Sequence, residues 1–235
     1  MRHCAPIWIA ISAALVGIVA GPTRAAETWS SVFRDDFNGT ALNPSAWVVE
    51  QANGSYAVSG GRLNLSSYPS GFPQIASTPG LIPSGAAIKL RYGFQFGNTT
   101  CFGSALGARV PDCIGACGCP PYYSFHRDCA VGTDARFPGT TSCTVAVTSF
   151  EGGSPAYHIG ELVIYADSVV AVVDGQTVYA AAGRWPPPSA LWFGSVGDPC
   201  CSYTEFSVDF AEVLVLAQPV PVERRSWGKV KARYR

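Results

Sequence analysis

Two short apolar runs, Val169 to Val173 and Thr177 to Ala181, stand on either side of Asp174-Gly175. An Asp-Gly pair between such runs predicts a tight β-hairpin, because its central residues must reach positive φ, which Gly and Asp tolerate. Tyr56-Ala-Val-Ser, a Gly60-Gly61 turn and Arg62-Leu-Asn-Leu-Ser repeat the arrangement with alternating polarity. Ala86 to Phe96 is long, aromatic and periodic, and Thr144 to Phe150, Tyr157 to Ala166, Leu191 to Val196 and Phe206 to Leu216 extend the series. No stretch reads as an amphipathic helix, and no internal repeat is present. The composition agrees, with 25 Gly, 18 Pro, a single Met and few Lys or Glu among 235 residues. Helix surfaces draw on Ala, Glu, Lys and Leu, whereas this bias suits many short strands joined by turns. The expected class is all-β, a sandwich or barrel.

The N-terminus reads as an export signal over residues 1–25. Arg2 and His3 give a basic start, Ala5 to Ala20 is apolar and uncharged, and Thr23 and Ala25 are small residues placed for cleavage before Ala26. The apolar run is short for a membrane span. Residues 26–218 then suit one full-sized domain. Pro219 and Pro221 open a basic tail over 219–235, in which Trp227 and Tyr234 are candidate anchors for docking on an anionic surface. The alternative is a solvated chain end. Formal net charge is zero, so the domain as a whole carries no electrostatic footprint for nucleic acid or anionic lipid. A neutral partner such as a sugar polymer is compatible with that balance. The expected location is outside the cytoplasm: secreted, periplasmic or on the cell surface.

Eight cysteines follow the signal: Cys101, Cys113, Cys117, Cys119, Cys129, Cys143, Cys200 and Cys201. Six of them fall within 101–143, a segment of Gly, Pro and aromatics with little periodicity, which reads as a stapled insertion or set of loops. An even set in an exported chain is expected to form disulfides. Cys113, Cys117 and Cys119 with His126 and Cys129 could also be drawn as a zinc site, although the spacing fits no common two-knuckle pattern. Eight cysteines allow 105 pairings, so connectivity stays open. Each cross-link would reduce the unfolded-state entropy of such loops by about 2–4 kcal/mol.

Five stretches together resemble the concanavalin A-like lectin/glucanase jelly roll, especially its laminarinase-like, glycoside hydrolase family 16-like members. Phe33-Arg-Asp-Asp-Phe-Asn-Gly-Thr-Ala-Leu-Asn-Pro-Ser-Ala-Trp47 looks like the opening strand and the turn leading to a Trp. Val58-Ser-Gly-Gly-Arg-Leu-Asn-Leu65 resembles the Gly-x-Leu-x-Leu hairpin. Tyr157-His158 through Val173-Asp174-Gly175 is similar to the stretch where a His begins one strand and a Val-Asp-Gly turn ends the next. Leu191-Trp-Phe-Gly194 and Phe206-Ser-Val-Asp-Phe-Ala-Glu-Val213 match the last two strands. The resemblance covers both ends and misses roughly 101–143. It implies a two-sheet antiparallel jelly-roll sandwich, with the disulfide-rich loops as an insertion.

The resembled hydrolases place Glu-x-Asp-x-x-Glu on one strand, where alternation turns all three side chains toward one cleft wall. Retaining glycosidases need two carboxylates about 5 Å apart. No such triplet occurs here. The candidate strand Thr144-Val-Ala-Val-Thr-Ser-Phe has no carboxylate, and Glu151 and Glu161 each lack an acidic neighbour at even spacing. There is no Gly-x-Ser-x-Gly elbow and no phosphate loop, and His158 falls at a position that is structural in the family. No motif demands a cofactor. The resemblance does imply a structural calcium on the convex sheet, far from the cleft, held by backbone carbonyls at positions that fall on Asp36 and Gly61 and by an Asp that falls on Asp209. The alternative for Asp209 is a side chain that faces solvent by alternation. Aromatic rings suit the apolar faces of sugars, and Trp185, Trp192 and Tyr157 are the ligand-binding candidates, with Tyr122, Tyr123 and Phe125 in the cysteine-rich segment. Trp185 precedes Pro186-Pro187-Pro188 and reads as exposed. The expected function is a secreted, non-catalytic carbohydrate-binding or adhesion-type module. A divergent β-glucan hydrolase with relocated acids and a structural surface or matrix component are the alternatives.

Overall fold

The computed structural model describes residues 27–51, 54–67, 73–99, 103–110, 122–128, 132–138, 146–151, 156–196 and 204–217. Among these residues every helix-or-strand element is a strand. β1 (Trp29–Asp35), β2 (Trp47–Gln51), β3 (Ser55–Ser59), β4 (Arg62–Ser66) and β5 (Gln74–Ser77) come first. β6 (Ile88–Thr99), β7 (Gly103–Arg109), β8 (Tyr122–Asp128), β9 (Gly132–Phe137) and β10 (Ala146–Glu151) follow. β11 (Tyr157–Ile164), β12 (Ser168–Val173), β13 (Gln176–Ala182), β14 (Ala190–Val196) and β15 (Thr204–Leu216) complete the order.

Two antiparallel sheets result. The eight-stranded sheet runs β13-β12-β11-β6-β15-β4-β3, with β1 also paired to β15. The seven-stranded sheet runs β10-β9-β8-β7-β14-β5-β2. Both predicted hairpins form. Gly60 and Gly61 have φ of 63° and 74°, and Asp174 and Gly175 have φ of 50° and 79°, which suits the type I′ geometry that matches strand twist. Asp174 is held at its positive φ by its own side chain. Oδ1 accepts the Ile159 N–H at 2.8 Å, and Oδ2 meets Nδ1 of the buried His158 at 2.7 Å. His158 therefore secures a turn, the structural role expected for it.

The segment 101–143 differs from the expectation of loops. Three of its stretches are β7, β8 and β9, which lie within the seven-stranded sheet, while β10, which overlaps the candidate carboxylate strand, is that sheet's edge. Tyr123 and Phe125, expected in loops, are fully buried core residues. The eight cysteines, residues 1–25 and the tail 219–235 lie outside the described residues.

Alternation accounts for the core. Leu90, Tyr92, Phe94 and Phe96 of β6 face Leu106, Phe125, Phe137 and Phe193 across the sandwich in one cluster. The Tyr92 hydroxyl crosses between the sheets and donates to the Gly107 carbonyl at 2.8 Å. At the entrance, Asp35 accepts the Trp47 indole N–H at 2.7 Å and the Phe37 N–H at 2.8 Å. The opening strand and the Trp that follows it are thereby fastened together.

Candidate functional site

Each sheet has a face turned away from the core. On the seven-stranded sheet, Ala105, Gly107 and Arg109 alternate with the core residues Leu106 and Ala108, and Trp192 and Gly194 alternate with Leu191 and Phe193. Ala76, Ala105 and Trp192 form a small cluster of their own there. A Cβ on Gly194 would collide with the Trp192 ring, so the indole lies flat along its strand. Trp192 is fully buried and offers no open ring to a sugar.

The carboxylates on this face whose side chains are described are each matched by an arginine. Asp134 on β9 is fully buried, and Arg136 two residues along donates to it at 2.9 Å and 3.0 Å. His126 on β8 lies opposite Asp134 in the register, with Nδ1 at 3.6 Å from Oδ1. Glu50 on β2 receives both terminal nitrogens of Arg109 on β7, at 2.6 Å and 2.5 Å. Asp134 and Glu50 sit five strand spacings apart, about 24 Å. Among the residues whose side chains are described, this face holds no two carboxylates near the separation of about 5 Å that a retaining pair requires. Glu161 lies on the other sheet, between Lys89 at 3.2 Å and Arg91 at 3.3 Å.

The three aromatic candidates are not brought together. Trp185 is buried in the core between the sheets, 6.5 Å from Tyr123 and 6.2 Å from Phe137, centroid to centroid. The expectation of an exposed loop ring is corrected. Pro186 is drawn inward with it, because its carbonyl accepts the Tyr123 hydroxyl at 2.6 Å. Trp192 occupies the closed face just described. Only Tyr157 is open, 42% exposed on the outer face of the eight-stranded sheet. Its hydroxyl is raised from the ordinary 10.0 by burial, and further by the neighbouring Asp209 carboxylate.

The three calcium candidates converge only in part. Gly61 approaches the loop after β1, since a Cβ there would lie 3.5 Å from Asn38 Oδ1. Asp209 sits at a bulge of β15 against β6. Its carboxylate holds Arg62, with Nε 2.9 Å from Oδ1, and Asp36 holds Arg34 at 2.6 Å. The Asp209 carboxylate is thus paired with a guanidinium group. Among the described residues, no group of three or more His, Cys, Asp and Glu is arranged around a metal position.

An open groove of about 510 Å³ lies on the eight-stranded sheet, across β3, β4, β15 and β6. Ser55, Tyr56, Asn64, Ser66, Gln95, Glu205 and Ser207 line it. Tyr56 is 41% exposed and also borders a second hollow beside Leu42 and Trp47. The sequence carried a signal for this groove in the alternation of β6, where Arg91, Gly93, Gln95 and Gly97 interleave with apolar core residues. No single motif marks it.

Neither a protein-family model nor a curated protein matches the sequence. Solved structures do match the fold. The endo-β-1,3-glucanase from Pyrococcus furiosus superposes with a TM-score of 0.61 at 14% identity, over 82% of this chain and 97% of its own. The laminarinase catalytic domain from Thermotoga petrophila gives 0.59 at 17% identity, over 82% and 100%. The laminarinase from Rhodothermus marinus gives 0.60 at 13% identity, over 83% and 100%. The chain has the laminarinase-like, concanavalin A-like jelly-roll fold.

Proposed function

We propose that this chain is an exported, non-hydrolytic carbohydrate-binding module built on a glucanase frame. One observation carries the reading: the described carboxylates of the seven-stranded sheet's outer face are each tied to an arginine and stand far apart. A glycosidase needs a pair that can share the work of acid and nucleophile, and arginine-bound carboxylates on strands five spacings apart cannot. Zero net charge supports a neutral ligand. The fold neighbours are named for β-1,3-glucan, so a β-glucan is the first polymer to try. Export through residues 1–25, four disulfides among the eight cysteines and surface docking through 219–235 belong to the same reading.

The second reading is a divergent β-glucan hydrolase whose acids come from separate strands. It is favoured by the glucanase names of the fold neighbours. Incubation with soluble β-1,3-glucan and β-1,3-1,4-glucan separates the two. Retarded migration in glucan-containing gels with no new reducing ends supports the module. Steady release of reducing ends, lost in Glu151→Gln, would establish the hydrolase.

A further inference from the structure

We infer that the saccharide site is the groove on the outer face of the eight-stranded sheet, on the opposite side of the sandwich from Trp192. This rests on the carbohydrate reading above and gives that reading its place. Cross-strand register sets Tyr157, Gln95, Ser207 and Asn64 side by side on β11, β6, β15 and β4. A second row, two residues along, places Glu205, Ser66 and Ser55 on β15, β4 and β3. Strands lie about 4.8 Å apart, so the first row spans about 14 Å. That is room for a chain of sugars laid across the strands rather than along them.

The chemistry of the lining selects the ligand. The amides of Gln95 and Asn64 and the three serine hydroxyls can each donate and accept, and Glu205 accepts. Sugar hydroxyls also do both, and they pair with such a set without leaving a polar group unmatched. Among the described residues no lysine or arginine lines the groove, so phosphate, sulfate and uronate groups find no cationic partner in that lining. The ligand class is an uncharged polyhydroxylated saccharide. Tyr157, 42% exposed, stands at the β11 end of the first row, whereas Tyr56 alternates with Ser55 and lies opposite the core residue Leu65, on the other face of β3.

Local structure holds the floor in place. A Cβ on Gly97 would overlap the Glu205 side chain and come within 2.9 Å of its carbonyl oxygen, so this glycine lets Glu205 lie across β6. Asn64 Nδ2 donates to Ser59 Oγ at 3.3 Å, which fixes the amide at the far side. The row is a built surface.

The test is affinity electrophoresis of the full chain in β-1,3-glucan and β-1,3-1,4-glucan, with melting curves for every variant. Gln95→Ala combined with Asn64→Ala should weaken binding about tenfold or more, as expected for the loss of two ligand hydrogen bonds. Its melting temperature should stay near wild type, because both side chains face outward. Ser207→Gln, which fills the floor, should give the same loss and serves if the double variant folds poorly. Glu50→Ala on the opposite sheet should bind as wild type does. Undiminished binding by both groove variants, or loss confined to Glu50→Ala, overturns this site and leaves the module reading intact. A wild-type chain that binds neither glucan nor any neutral glycan on an array overturns both.

Discussion

Replacing Trp185 with alanine tests how the sandwich is filled, because the indole sits between the two sheets and not at the rim of a binding face. It packs against Tyr123 and Phe137 and is only 9% exposed. Truncating a buried Trp typically costs about 3–5 kcal/mol, from lost transfer energy and the cavity left behind. One term offsets this. The indole N–H is buried with no hydrogen-bond partner among the described residues, and such an orphan costs about 1–3 kcal/mol that the truncation removes. The expectation falls at the lower end, about 3 kcal/mol. For a domain of this size that corresponds to a fall in melting temperature of roughly 6–12 °C. Trp185→Phe keeps a ring against Tyr123 and Phe137 and drops the orphan donor, so it should cost well under half as much. Thermal melts and urea titrations measure both, and an unchanged urea m-value would attribute the loss to native packing. Glucan binding measured well below the lowered melting temperature should be retained. A Trp185→Ala protein that melts like wild type but no longer binds glucan would refute this placement.

Tyr92→Phe removes the hydroxyl that joins the sheets at Gly107 and should cost about 1–2 kcal/mol, because the carbonyl loses its buried partner. Burial holds the Tyr92 hydroxyl well above its ordinary 10.0. Above that pH the unfolded chain ionises while the native one does not, so stability present below pH 10 should fall as pH rises beyond it, less steeply in Tyr92→Phe. Melting curves in calcium and in chelator should coincide, because Arg62 already pairs with Asp209, the one side-chain ligand of the implied site; a calcium-induced rise lost in Asp209→Ala would establish the metal site. Mass spectrometry of the exported protein should find no free thiols and four disulfides. Reactive thiols or stoichiometric zinc would overturn the staples.

Local rules made much of this fold legible. Gly60-Gly61 and Asp174-Gly175 name their turns because few residues tolerate positive φ in succession. The alternation of β6 and the apolar run of β15 follow from one face meeting the core. β7 escaped notice because its outward positions are Ala105 and Gly107, whose smallness answers close neighbours rather than any local pattern. A Cβ on Gly107 would overlap the Tyr123 carbonyl oxygen and come within 2.7 Å of Ser124 Cα. β8 and β9 carry His126, Asp134 and Arg136 on one face, so they read as polar loop until a paired strand brings Asp134 opposite His126. Trp185 beside three prolines looks exposed for the same reason, since its pocket comes from Tyr123 and Phe137, far back in the sequence. The groove was hidden more deeply. Its members lie on four strands spread from Ser55 to Ser207, and only register puts them in rows.

Calorimetric titration of a defined β-1,3-glucan oligosaccharide into the full chain, with chromatography of the sugar recovered from the cell, tests the central claim most directly. The account predicts saturable binding that varies little with salt, since a neutral ligand releases no counterions, and it predicts recovery of the oligosaccharide at its original length. Shortened products formed in proportion to enzyme and time would contradict it, as would the absence of any binding heat across neutral β-glucans.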